Sequence, residues 1–267
     1  MPLDPYLLNP QQNKTINDAY SALISRCMRR FGYSYAATTE SDDPSGMGAD
    51  APSTRIDGYF GFQSMAHAQK WGYHPEGGFP ETKIVPDSNQ TPNERAALTG
   101  SADARKKSGS GGQTVNNQRV PYRGCLGEAN HAITGSATGY IGNPDFAVQL
   151  KFDTLIKGEK DPKTLAVFAK WSACMKASGY RYTDPLKAAG DPDWNRGRLP
   201  ARREIEVAVA DQECRRGNNV VGVWFSVDYE YQQQAVQENL AHLTAIKNSL
   251  TAHFAAAHRA LGRPSRR

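Results

Sequence analysis

The chain has 267 residues, of which 39% are hydrophobic and 22% are charged, so it is long enough to bury a core without a metal or a disulfide. Its mean hydropathy of −0.64 and the lack of any run near the ~20 apolar residues of a membrane span predict no membrane-spanning helix. The formal net charge is +5, but four arginines between positions 259 and 267 supply most of it, and we therefore expect no nucleic-acid partner.

The N-terminal stretch does not resemble a secretion signal. Residues 1–14 contain neither a basic region nor an apolar segment of the kind that directs export. We interpret them as an N-terminal extension, either of a cytosolic protein or of a mature form that begins with a new methionine. The cysteines have to decide between these two interpretations.

A nine-residue pattern near the N-terminus occurs a second time in the chain. CMRRFGYSY at 27–35 and CMKASGYRY at 174–182 both read CMxxxGYxY. Five identical positions, which include the rare residues Cys and Met, favour an internal repeat over chance. Apolar residues at helical spacing predict one helix over 15–31 and another over 163–178. Each helix is expected to end at the glycine of the pattern, with its cysteine on the apolar face.

The first repeat, assigned to 15–135, contains shorter elements and a long insertion. We expect a short helix over 62–71 and a helix that opens at Pro92. Residues 99–119 are rich in Gly and Ser and are predicted to be mobile. A further helix is predicted at 127–132.

The second repeat is assigned to 136–225. Helical stretches are expected at 145–157 and 201–215, on either side of the second copy of the pattern. A loop rich in Pro, Asp and Gly is expected over 184–200. The apolar stretch from Val220 to Phe225 fits either a strand or a buried turn.

Beyond the repeats, the sequence predicts one long helix over 226–261. Its apolar positions, from Tyr229 to Leu261, are separated by threes, fours and their sums. Residues 262–267 form a basic tail. The fold class is therefore mainly α: a loop-rich helical protein built on two diverged helix–cysteine repeats, which pack as one domain and are stapled by disulfides.

Each copy of the pattern is followed by one further cysteine. Four cysteines allow three pairings, and a duplicated unit would keep its own staple, which favours Cys27 with Cys125 and Cys174 with Cys214. Closing loops of roughly 100 and 40 residues stabilises a fold by roughly 4 kcal/mol each, and such bonds persist in oxidising compartments. The alternative is four buried, reduced thiols. No CxxC or Cys/His cluster is present, so we expect no metal site.

Six short motifs are spread over most of the chain: CMxxxGY at 27–33, AQKWGYH at 68–74, ERAALTG at 94–100, GCLGEA at 124–129, WSACM at 171–175 and ADQEC at 210–214. In these motifs the chain resembles a widespread family of secreted proteins and lipoproteins of filamentous actinobacteria. The resemblance implies export, often with an N-terminal lipid anchor. It implies no established reaction.

The sequence contains no common catalytic motif such as HExxH, GxSxG or Walker A. Glu128 and His131 form an ExxH on a predicted helix, which is the spacing of a di-iron site, but no second ExxH accompanies it. We therefore interpret Glu128 as a surface residue and keep it as a candidate acid or base. No cofactor is expected.

Seven aromatic residues lie in predicted loops or just beyond the two repeat helices. Tyr and Trp in loops can stack on a sugar or a peptide while their polar tips make hydrogen bonds. The alternative is that these rings pack under their own loops. The candidate ligand contacts are Tyr33, Tyr35, Trp71, Tyr73, Tyr180, Tyr182 and Trp194.

Together these observations favour an extracytoplasmic, non-enzymatic protein that binds an unidentified ligand or protein partner at the cell envelope. Its expected link to the membrane is a lipid anchor that this chain does not carry. One alternative is a cell-envelope hydrolase that acts on a glycan or a peptide, with Glu128 or an aspartate in a predicted loop as its acid or base. Another is a structural partner that assembles through the helix predicted over 226–261.

Overall fold

The structure of this chain is a computed structural model that describes residues 1–35, 60–61, 64–79 and 90–262. These residues are mainly helical, which confirms the predicted fold class at this level. The α-helices in chain order are α1 Pro10–Arg30, α2 Met65–Trp71, α3 Pro92–Thr99, α4 Gly124–Thr134, α5 Asp145–Glu159, α6 Pro162–Ala177, α7 Pro185–Ala189, α8 Arg202–Gly217, α9 Val220–Glu238 and α10 Leu240–Ala260. Short 3-10 helices lie at Asp4–Tyr6 and Pro192–Arg196, and β1 Thr114–Val115 pairs with β2 Gln118–Arg119. None of the described helices combines the length and the apolar character that a membrane span requires.

The described residues form two compact units, each assembled from three separate stretches of chain. The first unit contains the described parts of Met1–Asp4, Asp43–Ile84 and Asp145–Leu240. The second unit contains the described parts of Pro5–Asp42, Val85–Pro144 and Ala241–Arg267. Sequence neighbours such as α2 and α3 therefore belong to different units.

Helix α1 of the second unit begins five residues before the predicted start at Thr15. Asn9 is the N-cap, and its side chain accepts from the Gln12 N–H at 2.8 Å while the Gln12 side chain accepts from the Asn9 N–H at 2.9 Å. Pro10 follows in the first turn, where its missing N–H costs nothing. The Thr15 hydroxyl instead donates to the carbonyl of Gln11 inside the helix.

The core of the second unit is formed where α1, α3 and α4 meet. Met28 and Phe31 of α1 pack with Leu98 of α3 and Ala129 of α4. Helix α3 opens as predicted, with Pro92 as its first residue and the Thr91 side chain as its cap.

The Gly-rich segment over 99–119 was expected to be mobile, but in the structure it contains a β-hairpin. Asn116 and Asn117 form its two-residue turn, both with positive φ, which suits the right-handed twist of paired strands. Val115 and Val120 on either side of the turn are buried in the core of the second unit. The composition of the segment did not reveal that Val115 within it and Val120 just after it are buried. Their burial holds the segment in place.

The core of the first unit lies between α6, α8 and α9. Phe168 and Trp171 of α6 pack with Val207 of α8 and with Val220 and Trp224 of α9. Helix α2 packs against α8, and α5 against α9. The stretch from Val220 to Phe225 is the start of α9, because Val220 and Trp224 lie on one face of a helix and face the core.

The helix predicted over 226–261 is two helices in the structure. Helix α9 ends at Glu238 and α10 begins at Leu240, with Asn239 between them at φ −121° and ψ 20°. The Asn239 side chain donates to the carbonyl of Ala235 at 2.9 Å, so it competes for an acceptor of the helix. The apolar spacing continues through this break, which is why periodicity did not reveal it.

The two CMxxxGYxY segments have the same local structure. Gly32 and Gly179 each follow the helix with positive φ, 77° and 90°. The next tyrosine N–H bonds back to the methionine carbonyl, at 3.1 Å in the first segment and 2.9 Å in the second. Ser25 and Ser172, two residues before each cysteine, donate to the carbonyl of the last tyrosine of the pattern, at 3.2 Å and 2.6 Å.

Both disulfides join the cysteines paired by the sequence argument. Cys27 links α1 to Cys125 of α4 with a Cα separation of 5.5 Å, and Cys174 links α6 to Cys214 of α8 with 5.7 Å. Each unit therefore contains one disulfide between two of its core helices.

Candidate functional site

Glu128, the candidate acid or base, lies on α4 in an exposed ion pair. Its Oε2 accepts from Arg30 Nη2 of α1 at 2.5 Å, and the two side chains are 41% and 53% exposed. Among the described residues, no group of three or more His, Cys, Asp or Glu is placed to hold a metal ion. The pair connects the same two helices as the disulfide between Cys27 and Cys125.

The seven candidate aromatic residues fall into two groups. Tyr33 and Tyr35 are partly buried against the core of the second unit. The other five belong to the first unit, and they are Trp71, Tyr73, Tyr180, Tyr182 and Trp194. None of the seven is among the strongly exposed large side chains of the described residues.

Two of these rings stack on each other in the first unit. Tyr73 and Trp194 have ring centroids 5.9 Å apart and planes inclined by 24°. The Trp194 indole N–H donates to the carbonyl of Ala188 at 2.7 Å, and Tyr182 donates its hydroxyl to Asp191 at 2.8 Å. The polar groups of Trp194 and Tyr182 therefore bond to residues six and nine positions away, which fits rings that pack under their own segment of chain.

Asp211 on α8 is the centre of a buried polar cluster, which we call the Asp211 network. Its Oδ1 accepts from Trp171 Nε1 at 2.8 Å and from Arg215 Nε at 2.7 Å. Its Oδ2 accepts from the Tyr73 hydroxyl at 3.1 Å. Arg215 is only 2% exposed, and it also donates from Nη1 to the carbonyl of Phe60 and from Nη2 to the carbonyl of Pro185, the first residue of α7.

A second buried pair involves Glu204, which lies on α8 seven residues before Asp211. Glu204 Oε1 is 2.7 Å from His74 Nδ1 and also accepts from the Tyr73 N–H at 2.9 Å. His74 Nε2 is 3.0 Å from the carbonyl of Gly197, which can only accept. Both ring nitrogens of His74 therefore face hydrogen-bond acceptors, and the side chains of His74 and Glu204 are both 1% exposed.

The spacing of these residues on α8 explains why they meet the same partner. Glu204, Asp211 and Arg215 are seven and four residues apart, so they project from one face of the helix, against which α2 packs. Helix α2 ends at Trp71 and is followed by Tyr73 and His74, which place one hydroxyl, one N–H and one imidazole onto that face. The AQKWGYH and ADQEC motifs therefore meet in space.

Burial fixes the protonation of this cluster. It raises the pKa of the Tyr73 hydroxyl far above its usual value, and the Asp211 carboxylate raises it further. Burial and the hydrogen bond to Asp191 likewise raise the pKa of Tyr182. Burial also raises the pKa of Asp211, against the opposing effect of Arg215. The tyrosines therefore remain hydrogen-bond donors, and the site offers neither a phenolate nor an exposed carboxylate.

One concave surface of the first unit was not identified from the sequence. It is an open groove of about 530 Å³ along α9, lined by Asn219, Gly222, Phe225, Ser226, Tyr229, Glu230 and Gln233. Tyr229 is one of the apolar positions at helical spacing in the sequence, and its side chain is 40% exposed. The signal in the sequence was an aromatic pair four residues apart among polar neighbours, on a segment that reads as an ordinary helix.

Comparison with known proteins gives no relative from which a function could be transferred. No protein-family model matches the chain, and neither a curated protein nor a solved structure matches it.

Proposed function

We propose that this protein is an extracytoplasmic binding protein that acts at the cell envelope without catalysis of its own. The observation that carries the proposal is the Asp211 network together with the Glu204–His74 pair. These ionisable groups hold loops onto α8 and are closed to solvent. Such a network makes a rigid scaffold, which suits a protein that presents a surface to a ligand.

The compartment is supported by the cysteines. Both pairs form disulfides, and the described chain leaves no cysteine free. Bonds of this kind persist outside the cytoplasm, where thiol reductants do not reduce them. The resemblance to secreted proteins and lipoproteins of filamentous actinobacteria points in the same direction, and a lipid anchor is part of this proposal.

The exposure of the acidic residues supports a role without catalysis. A general acid or base must come within hydrogen-bond reach of its substrate, and Asp211 and Glu204 are 0% and 1% exposed. Glu128 is exposed, but an ion pair with Arg30 at the surface is an ordinary structural contact. None of these three carboxyl groups is therefore placed to act as the acid or base of a hydrolase.

We also propose that the two disulfide-linked helix pairs, α1 with α4 and α6 with α8, are copies of one element. The matching hydrogen bonds of Ser25 and Ser172 and the shared end of the helix at Gly32 and Gly179 support this origin. A duplicated, covalently tied helix pair in each unit would give a scaffold that tolerates conditions outside the cell.

Retention on isolated cell envelopes tests the proposal. Purified, oxidised protein is incubated with actinobacterial envelope fractions, sedimented and measured in the pellet, with reduced and alkylated protein as the control. We expect the oxidised protein in the pellet and the control in the supernatant. If the oxidised protein stays in the supernatant to the same extent as an unrelated basic protein, the proposal that it binds envelopes is wrong. Release of sugars or peptides that stops in Glu128→Gln would instead establish the hydrolase.

A further inference from the structure

We propose that the groove along α9, here called the α9 groove, binds a neutral oligosaccharide. This inference rests on the proposed function and adds to it a place and a class of ligand. The α9 groove combines an aromatic pair, the exposed Tyr229 and the partly buried Phe225, with hydrogen-bonding side chains and little net charge.

The aromatic pair of the α9 groove is anchored in the core. The rings of Phe225 and Tyr229 have centroids 6.4 Å apart and planes inclined by 27°. Phe60 packs edge-on against Phe225 at 5.6 Å and against Trp224 at 5.5 Å, and Trp224 packs in turn against Phe168 at 5.3 Å. The chain of rings runs from the fully buried Trp224 to the exposed Tyr229, so the pair is held in place before a ligand arrives, which reduces the entropy cost of binding.

A sugar ring suits this surface. Pyranose rings present a face of C–H groups, whose partial positive charge is attracted to the negative face of an aromatic ring. Around that face lie hydroxyl groups that both donate and accept hydrogen bonds. The polar side chains that line the α9 groove do the same, because the amides of Asn219 and Gln233 and the hydroxyl of Ser226 each carry a donor and an acceptor.

The charge of the α9 groove favours a neutral ligand. Glu230 is the one acidic residue among the lining residues, and no Lys or Arg is among them. Glu230 is paired with Lys163 of α6 at 3.3 Å, so its charge is largely balanced at the rim. A charged ligand would therefore gain no strong ion pair in the α9 groove. The binding of a neutral polar ligand does not depend on such a pair.

The start of α9 is built so that Asn219 can face the α9 groove. Asn219 has a positive φ of 52° and makes no side-chain capping bond, unlike the caps of α1, α2 and α3. A Cβ at position 222 would lie 2.2 Å from Asn219 Oδ1, so only Gly222 leaves the space that this amide occupies. The glycine and the amide together form one end of the α9 groove.

Calorimetric titration with neutral oligosaccharides tests the inference. The probes are maltotetraose, xylotetraose, cellotetraose and the tetramer of N-acetylglucosamine, at concentrations up to several millimolar. We expect at least one to bind, and Tyr229→Ala to weaken that binding by about tenfold because the stacking face is lost. Tyr140→Ala is the matched control, since Tyr140 is 65% exposed in the second unit and should leave affinity unchanged.

Two further variants test whether binding depends on uncharged or on charged side chains of the α9 groove. Gln233→Ala should weaken binding severalfold, and Glu230→Gln should change it little if the ligand is neutral. A greater loss in Glu230→Gln than in Tyr229→Ala would overturn the inference, because binding would then depend on the carboxylate of Glu230 and not on the aromatic face. Circular dichroism and thermal unfolding of each variant show that a loss of affinity is not a loss of fold.

The envelope-retention assay distinguishes failure of this inference from failure of the proposed function. If none of the probes binds, or if Tyr229→Ala binds as well as the wild type, the inference about the α9 groove is wrong. Retention of the wild type on envelopes in that case leaves the proposed function in place. If an oligosaccharide binds in the α9 groove but the protein is not retained on envelopes, the inference holds and the proposed place of action is wrong.

Discussion

Asp211 is the single residue on which most of the buried network of the first unit depends. Four side chains donate to its carboxylate, the fourth being Gln212 at 3.4 Å, and one of them, Arg215, is almost completely buried. Removing one partner of a buried ion pair is costly, because the remaining charge has neither water nor a counter-ion. The network thus ties Tyr73 of the loop after α2 to α6 and α8.

We therefore expect Asp211→Leu to lower the free energy of unfolding by about 4 kcal/mol, measured by urea denaturation. The control on the same helix is Glu206→Ala, which removes an exposed partner of Arg202 and should cost less than about 1 kcal/mol. Equal effects of the two substitutions would show that the Asp211 network does not stabilise the fold.

Asp228, like Asp211, is a buried carboxyl group, but in its charged form it destabilises the folded protein. It lies on α9 and accepts from Gln232 at 2.8 Å. Burial raises its pKa from 3.8 to about 6, against the smaller opposing effects of Thr154, Gln232 and Lys151. The folded state therefore binds more protons than the unfolded state between these two values. The contribution of Asp228 to stability is present below about pH 4 and is lost as the pH rises through about 6.

Asp228→Asn should raise the free energy of unfolding at pH 7.5 by about 2 kcal/mol, because the amide avoids the cost of a buried charge. The gain should disappear below about pH 4, where the wild-type carboxyl group is protonated in both states. Urea denaturation across this pH range measures the difference. Asp153→Asn on α5, the same substitution at an exposed aspartate, is the control and should change the free energy of unfolding by less than about 1 kcal/mol at pH 7.5.

At the scale of elements, glycines allow close approach of the backbone in the segment between α3 and α4. A Cβ at position 109 would lie 2.3 Å from the carbonyl oxygen of Gly100, with which this stretch pairs. The Gly109 N–H bonds to the carbonyl of Thr99 at 2.9 Å, and its carbonyl accepts from Arg123 at 3.0 Å. The glycine-rich composition that suggested mobility thus serves a tightly packed loop.

Gly109→Ala should therefore lower the free energy of unfolding by about 2 kcal/mol, since the backbone around it cannot move aside. Gly217→Ala is the matched control, because a Cβ there meets nothing within 4 Å and the residue ends α8. We expect that variant to be neutral or slightly more stable. Thermal and urea unfolding of both variants measure the contrast, and a neutral Gly109→Ala would contradict the packed loop.

At the scale of the whole molecule, the disulfides dominate the expected behaviour. The bonds close loops with sequence separations of 98 and 40 residues, one in each unit. Chain-entropy arguments give each a stabilisation of roughly 4 kcal/mol, slightly more for the longer loop. Reduction of both bonds should therefore remove most of the free energy of unfolding, and this would happen in a reducing compartment.

Intact mass spectrometry with an alkylating reagent tests this expectation. Freshly isolated native protein should take up no alkyl group without reductant and four groups after reduction in denaturant. The paired variants Cys27→Ala/Cys125→Ala and Cys174→Ala/Cys214→Ala should each unfold at lower urea concentration than the wild type. Four alkylated thiols in native protein before reduction would contradict both the disulfides and the proposed compartment.

Features that depend on residues close together in the chain could be predicted from the sequence. Helical periodicity and the repeated CMxxxGYxY pattern predicted the ends of α1 and α6, and the duplication argument predicted which cysteines pair. Pro92 after a capping Thr91 predicted the start of α3. These signals work because a helix, its cap and its terminal glycine are set by residues within a few positions of each other.

Tertiary structure alone decided what the polar and aromatic side chains contact. Asp211 meets Trp171 and Tyr73 across 40 and 138 positions of chain, so no local window of the sequence contains the network. The break at Asn239, the buried hairpin valines and the exposure of Tyr229 likewise depend on long-range packing. Apolar spacing reports that a face is buried somewhere, whereas the partner it is buried against is chosen by the whole fold, and so are the surfaces left open to a ligand.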